Sequence, residues 1–265
     1  MTGKPDHTPL PSAPDPAEAA WSRLRGLTAA RIGLARSGAS LATAPLLDVR
    51  LAHAWARDAV HARLDDARLA EEAAALGSSV LTVDSAAGDR RTYLMRPDLG
   101  RRLGPEAAAT LAARAGDYDL AIALVDGLSA RAVQAHAVPV LAAALPALRV
   151  DGWRMAPLVI VRQGRVAIGD AIAAELGAGA VAVLIGERPG LSAPDSMGAY
   201  LTWRPRPHTT DAERNCISNI RPEGIAYAEA AFKLEFLLRE MRARGRSGVS
   251  LKDDSGIASA AGTAG

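Results

Sequence analysis

Tyr118-Asp119-Leu120-Ala121-Ile122-Ala123-Leu124-Val125-Asp126-Gly127-Leu128-Ser129 is the stretch on which the fold turns. An unbroken apolar run from Leu120 to Val125 has the form of a strand buried on both faces. It runs directly into Asp126-Gly127, a turn dipeptide, and Ser129 then stands where it can cap a helix. Buried strand, tight turn and capped helix together make half of a βαβ unit.

The same texture extends on both sides. Strands are expected at 79–84, 158–162, 180–185 and 200–203, with an added strand at 91–95. Helices are expected at 105–115, 129–148, 170–176 and from 222 to about 244, where Pro105 and Pro222 suit first helical positions. Before Gly77 the apolar spacing is helical, through Trp21, Leu24, Leu27, Leu46, Leu47, Leu51, Trp55, Val60 and Leu64. The expectation is therefore an α/β fold, a small N-terminal helical region at 21–76 followed by a Rossmann-like, mostly parallel sheet domain at 77–246. Residues 1–20 hold five of the sixteen prolines and read as a disordered leader, and 247–265 reads as a flexible tail. On the last helix Ile225, Ala228, Phe232, Phe236, Leu238 and Met241 spread wider than one core stripe, which reads either as a subunit interface or as ordinary packing on the sheet.

Composition removes several classes of function. Lys+Arg 31 against Asp+Glu 29 leaves a formal charge of +2, too little for a surface built to hold nucleic acid. The single cysteine, Cys216, can make neither an internal disulfide nor a cysteine-based zinc site, and a reducing, cytoplasmic setting follows. No run reaches the ~18 to 20 apolar residues of a membrane span, so no membrane partner is expected. Only Lys4, Lys233 and Lys252 are lysines, which disfavours Schiff-base chemistry. Gly177-Ala178-Gly179 precedes a strand where a dinucleotide fingerprint would follow one, and there is no Gly-Lys-Ser/Thr. The five histidines, His7, His53, His61, His136 and His208, show no metal spacing.

Ligands of open parallel sheets bind beyond the carboxyl ends of the strands. Three loops there are rich in chemistry: Val125 to Ser129, Gln163 to Asp170, and Gly186-Glu187-Arg188-Pro189-Gly190-Leu191. Glu187, at the end of an apolar strand, is solvated, paired with Arg188 or aimed at a ligand donor, and the residues alone leave these open. Asp126 or Glu187 could serve as acid or base in a self-sufficient enzyme. Arg214 to Gly224 is the densest polar stretch of the second half; it reads either as a set of hydrogen-bonding side chains for an amide- or phosphate-rich ligand, or as a helix-capping loop with an inert cysteine.

Five stretches in fixed order carry a family resemblance. They are Arg31-Ile32-Gly33-Leu34-Ala35-Arg36-Ser37-Gly38-Ala39-Ser40-Leu41, Leu51-Ala52-His53-Ala54-Trp55-Ala56-Arg57-Asp58-Ala59-Val60, Asp126-Gly127-Leu128-Ser129, Gly186-Glu187-Arg188-Pro189-Gly190-Leu191 and Arg214-Asn215-Cys216-Ile217-Ser218-Asn219-Ile220-Arg221. In this the chain, from about Leu27 to Asp253, resembles the small (light) subunit of ethanolamine ammonia-lyase.

The resemblance implies an adenosylcobalamin-dependent, hetero-oligomeric lyase that converts ethanolamine to acetaldehyde and ammonia by a radical route. It implies a large-subunit partner, a TIM barrel that holds substrate and the adenosyl face of the cofactor, and a small subunit that helps hold the cobalamin. Domain 77–246 would then be the cobalamin-binding one. By similarity the cofactor contacts fall on Val166, Glu187 and Cys216, with no catalytic residue on this chain. The sequence lacks an Asp-x-His-x-x-Gly loop, which accords with base-on binding, and the resemblance adds the bacterial microcompartment to the cytoplasm as a location for such a lyase.

Overall fold

A computed structural model describes residues 16–256. It begins with helix α1 (Pro16–Arg25), a hairpin of β1 (Arg36–Ser37) and β2 (Ser40–Leu41), and α2 (Thr43–His61). The chain divides into two compact units after His53, inside α2. In the first, Trp21, Leu24, Leu47 and Leu51 are exposed apolar side chains. Residues 1–15 of the expected leader lie outside the described residues, and 16–20 already belong to α1. The boundary expected after Leu76 moves to His53 because α3 (Asp66–Ala74) buries Leu69 and Ala73 in the core of the α/β unit.

That unit continues through β3 (Val80–Asp84), α4 (Arg90–Met95), α5 (Pro105–Ala112), β4 (Tyr118–Val125), α6 (Ala130–Val150), β5 (Leu158–Arg162), α7 (Ile168–Leu176), β6 (Ala178–Gly186), β7 (Met197–Trp203), β8 (Arg214–Ile220) and α8 (Tyr227–Arg244). The strands form one sheet in the order β3-β5-β4-β6-β7-β8, parallel from β3 to β6 and antiparallel at β7 and β8. The pleat of β4 sends Leu120, Ile122 and Leu124 to one core, with α3, α6 and α8, and Ala121, Ala123 and Val125 to the other, with α5 and α7. Both faces are covered, which is why β4 reads as a continuous apolar run.

Several expectations are corrected. Residues 91–95 are the helix α4, whose start is fixed by Asp89: its carboxylate accepts from the Thr92 backbone N–H (3.0 Å) and hydroxyl (2.7 Å). Residues 214–220, read as a loop, are the edge strand β8, which exposes Cys216, Ser218 and Asn219 and buries Arg214, Ile217 and Ile220. The last helix starts at Tyr227, after a turn at Pro222–Ala226 that closes with the Ile225 N–H on the Asn219 carbonyl (2.9 Å). Its apolar side chains are largely spent inside: Leu238 and Met241 are buried, Ile225 and Phe236 pack on the core, and Phe232 alone among the six named residues is an exposed large hydrophobe.

The expected tail also begins too early. Leu251 is buried, and Asn215 donates to the Leu251 carbonyl (2.8 Å). Ser247 accepts from the Trp203 N–H (3.0 Å) and donates to the Glu213 carbonyl (2.6 Å). Residues 257–265 lie outside the described residues. Contrary to the reading that no stretch could span a bilayer, α6 is long and apolar enough to do so by length and composition. Its burial accounts for that composition: Val133, Val140, Leu141, Leu145 and Leu148 fill the core between the sheet and α8.

Candidate functional site

The helix that follows β4 packs on one face of the sheet and the helix that follows β5 on the other. Loops that part in this way leave a crevice at the carboxyl ends of the strands. Asp126 ties its floor together: Oδ2 accepts the Gln163 N–H (2.9 Å) and Oδ1 the Gly164 N–H (3.2 Å). Burial pushes its carboxyl up to about 6, against the pull of those N–H groups and of Arg90. With both oxygens engaged and 3% of its surface exposed, Asp126 is a strap between β4 and β5 rather than a free acid or base.

Next to it Gly127, at φ 58°, must be glycine, because a Cβ there would overlap the Gly186 carbonyl. The close approach lets the Leu128 N–H donate to that carbonyl (2.9 Å) and fixes where β6 ends. Beyond β6, the Glu187 N–H donates to the Ser196 carbonyl (3.0 Å). The returning segment is held by the Ser129 hydroxyl on the Pro194 carbonyl (3.1 Å) and by His136, whose Nε2 meets the Asp195 carbonyl (3.0 Å) and whose Nδ1 meets the Tyr227 hydroxyl (2.9 Å). Burial holds the His136 pKa below its usual value, so the ring is neutral at pH 7. A neutral ring can donate from Nε2 to the carbonyl while Nδ1 accepts from the tyrosine.

A crevice of about 380 Å³ opens at this end of β6, and Val166, Glu187 and Tyr200 all line it. Cys216 does not line it directly, but is the strand partner of Tyr200 on β8. Burial, with the neighbouring Cys216 and Glu187, pushes the Tyr200 phenol above its usual value, so it stays protonated. Glu187 reaches across the same strands, with Oε2 accepting the Asn219 N–H (3.2 Å). Its Oε1 takes no hydrogen bond among the described residues and is free to accept one. Val166 sits partly buried on the second core, a fixed apolar wall. Of the three residues named from the sequence, Val166 and Glu187 line this crevice, and Cys216 stands beside it through its pairing with Tyr200.

The sequence reading named Asn219 only within its polar stretch and family motif, and did not single out Tyr93 or Tyr200. Tyr200 could have been found as the residue that a hairpin register places opposite Cys216; Tyr93 was hidden by the assignment of 91–95 to a strand.

Residues 18–252 match the family model described as ethanolamine ammonia-lyase light chain. The chain belongs to that family. It is 54% identical over 242 residues to the ethanolamine ammonia-lyase small subunit of Azotobacter vinelandii, covering 90% of each chain. The small subunit of Ralstonia nicotianae is 51% identical over 257 residues, 96% of this chain and 94% of its own. That of Pseudomonas putida strain KT2440 is 51% identical over 257 residues, 95% and 92% of the respective chains. The match spans both compact units, including α1 from residue 18 and the segment seated on β8 as far as residue 252.

Proposed function

We propose that this chain is the small subunit of a cytoplasmic ethanolamine ammonia-lyase, and that its crevice at the end of β6 holds one side of adenosylcobalamin in base-on form while a large subunit holds ethanolamine. The observation that carries the reading is the meeting of Val166, Glu187 and the Tyr200–Cys216 pair at one strand end in a chain of this family. The donor set suits a corrinoid. Peripheral amides and hydroxyls need acceptors such as Glu187 Oε1, and the ring's hydrocarbon needs walls such as Val166, Leu128 and Ile185. The crevice is far smaller than the whole cofactor, so the rest must be covered by the partner.

When bound, adenosylcobalamin supplies the radical chemistry that turns ethanolamine into acetaldehyde and ammonia. The work of this chain is orientation. Val166 and Leu128 exclude water on one side, Glu187 accepts from a donor on the cofactor's rim, and the Tyr200–Cys216 pair closes the β7–β8 side. No proton transfer is assigned to it, since Asp126 is strapped to backbone and Glu187 is shared with Asn219. Its exposed Trp21, Leu24, Leu47 and Leu51 are suited to cover by a larger partner.

Glu187→Ala and Glu187→Gln in the complex with the large subunit test the reading. A charge-assisted bond is worth about 1.5 to 3 kcal/mol, so Ala should weaken cofactor binding by roughly one to two powers of ten, Gln should weaken it less, and turnover at saturation should hold. Normal affinity with abolished turnover would make Glu187 catalytic and overturn the division of labour.

A further inference from the structure

Buried polar atoms without partners are not scattered evenly over this protein. Among the described residues Arg90 Nη2, Tyr93 Oη and Arg165 Nε are all buried and unbonded, and both guanidinium groups lie over the Tyr93 ring. The Arg165 guanidinium lies 4.1 Å from the centre of the Tyr93 ring and the Arg90 guanidinium 4.7 Å from it. Each unsatisfied buried donor costs free energy unless something completes it.

The charge here is also unbalanced. Arg154, Arg162, Arg214 and Arg239 each hold an aspartate, whereas Arg90, Arg165 and Arg188 form no ion pair among the described residues. Arg90 is spent on carbonyls, with Nε on Val60 (2.6 Å) and Nη1 on Gly127 (2.7 Å), and Nη1 also meets Gln163 Oε1 (3.3 Å). Arg165 donates from Nη2 to the Tyr93 carbonyl (3.2 Å). The acids nearby are Asp126, both of whose oxygens serve backbone N–H groups, and Glu187, which serves Asn219. Tyr93, Arg165 and Arg188 all line the crevice that holds Val166 and Glu187.

We infer that Arg165, with Arg188 in the same crevice and the Arg90–Tyr93 pair behind it, seats a phosphate ester. A guanidinium fork matches phosphate oxygens in geometry and charge, and the phenol adds a neutral donor. On the reading proposed above, on which this deepening rests, the group is the phosphodiester in the nucleotide tail of cobalamin; a free phosphate offers the same chemistry.

Two measurements separate the sources and keep the inference apart from the reading beneath it. In the complex with the large subunit, cyanocobalamin and cobinamide, which lacks the phosphodiester, are titrated by absorbance against wild type, Arg165→Gln and Arg188→Gln. Arg165→Gln should weaken cyanocobalamin about 10-fold to 100-fold and leave cobinamide unchanged. Arg188→Gln removes an exposed side chain without an ion pair, so the fold is not at risk, and it should give a smaller loss of the same selectivity. In parallel the melting temperature of the full chain is followed in inorganic phosphate against chloride at matched ionic strength. Phosphate stabilisation that Arg165→Gln abolishes, in a wild type that binds no corrinoid, would keep the phosphate seat and refute the cobalamin reading. Equal loss of both corrinoids, or no loss of either together with no phosphate effect, would overturn the seat.

Discussion

Removing one carboxylate, Asp170→Ala, should unsettle both sides of the crevice. Asp170 stands in the first turn of α7, two residues after that helix begins and four after Val166, and Arg214 opens the strand that carries Cys216. The Arg214 side chain is 2% exposed and Asp170 11%, with both guanidinium–carboxylate contacts at 2.7 Å. Arg214 also donates to Thr202 Oγ1 (3.0 Å) and the Thr209 carbonyl (3.1 Å), neither of which carries charge. Asp211 lies 3.5 Å from its Nε, but at 92% exposure water screens it too well for it to stand in. A buried charge stripped of its partner costs about 3 to 5 kcal/mol. At about 2 to 4 °C per kcal/mol for a domain of this size, the melting temperature should fall by roughly 6 to 20 °C. Glu72→Ala breaks the exposed i,i+4 pair with Arg68 and should cost at most about 0.5 kcal/mol. Asp170→Leu with Arg214→Met, which leaves no buried charge, should regain most of the loss. Urea unfolding of the full-length chain reads all three. A cost for Asp170→Ala below about 1 kcal/mol, or a double variant no better than the single, would refute the reasoning.

Asp126 gives a pH signature. Its folded pKa of about 6 lies above the ordinary 3.8, so the folded state favours the protonated form; stability is full below about pH 4, falls as pH rises through 6 and is flat above. Two units correspond to about 3 kcal/mol at most, and the difference between wild type and Asp126→Asn across pH 4 to 7 should show it while cancelling His136, whose lowered pKa slopes the other way. A pH-independent difference would contradict the assignment. Leu51→Asp, on an exposed turn of α2, should leave the unfolding free energy of the chain within about 0.5 kcal/mol of wild type. Sedimentation of mixtures with the large subunit should show weaker association, and unchanged association would remove α2 from the interface.

The parallel strands were legible because burial on both faces leaves an unbroken apolar run in each of β4, β5 and β6, from Leu120 to Val125, Leu158 to Val161 and Ala180 to Ile185. The edge strand β8 was not, since its exposed Asn219, Ser218 and Cys216 look like a loop until β7 is placed beside them. α4 carries a local signal, Asp89 three residues before the Thr92 N–H that it caps, beside the β-rich Thr92-Tyr93-Leu94. The packing of residues 247–256 rests on contacts twenty or more positions apart, such as Asn215 to Leu251 and Lys233 to Ser255, which no local pattern announces. Glu187 and the loop that holds Val166 were visible at strand ends, Val166 itself through the family resemblance, whereas the cluster of Arg90, Tyr93 and Arg165 exists only once α4 lies against the β5–α7 turn.

The most direct measurement is the structure of the complex between this chain and the large subunit with cyanocobalamin bound. The account predicts corrinoid density against Val166, with a rim donor on Glu187 Oε1 and the β7–β8 side closed by Tyr200 and Cys216. Corrinoid density that leaves the end of β6 uncovered, or that contacts only the large subunit, would contradict it.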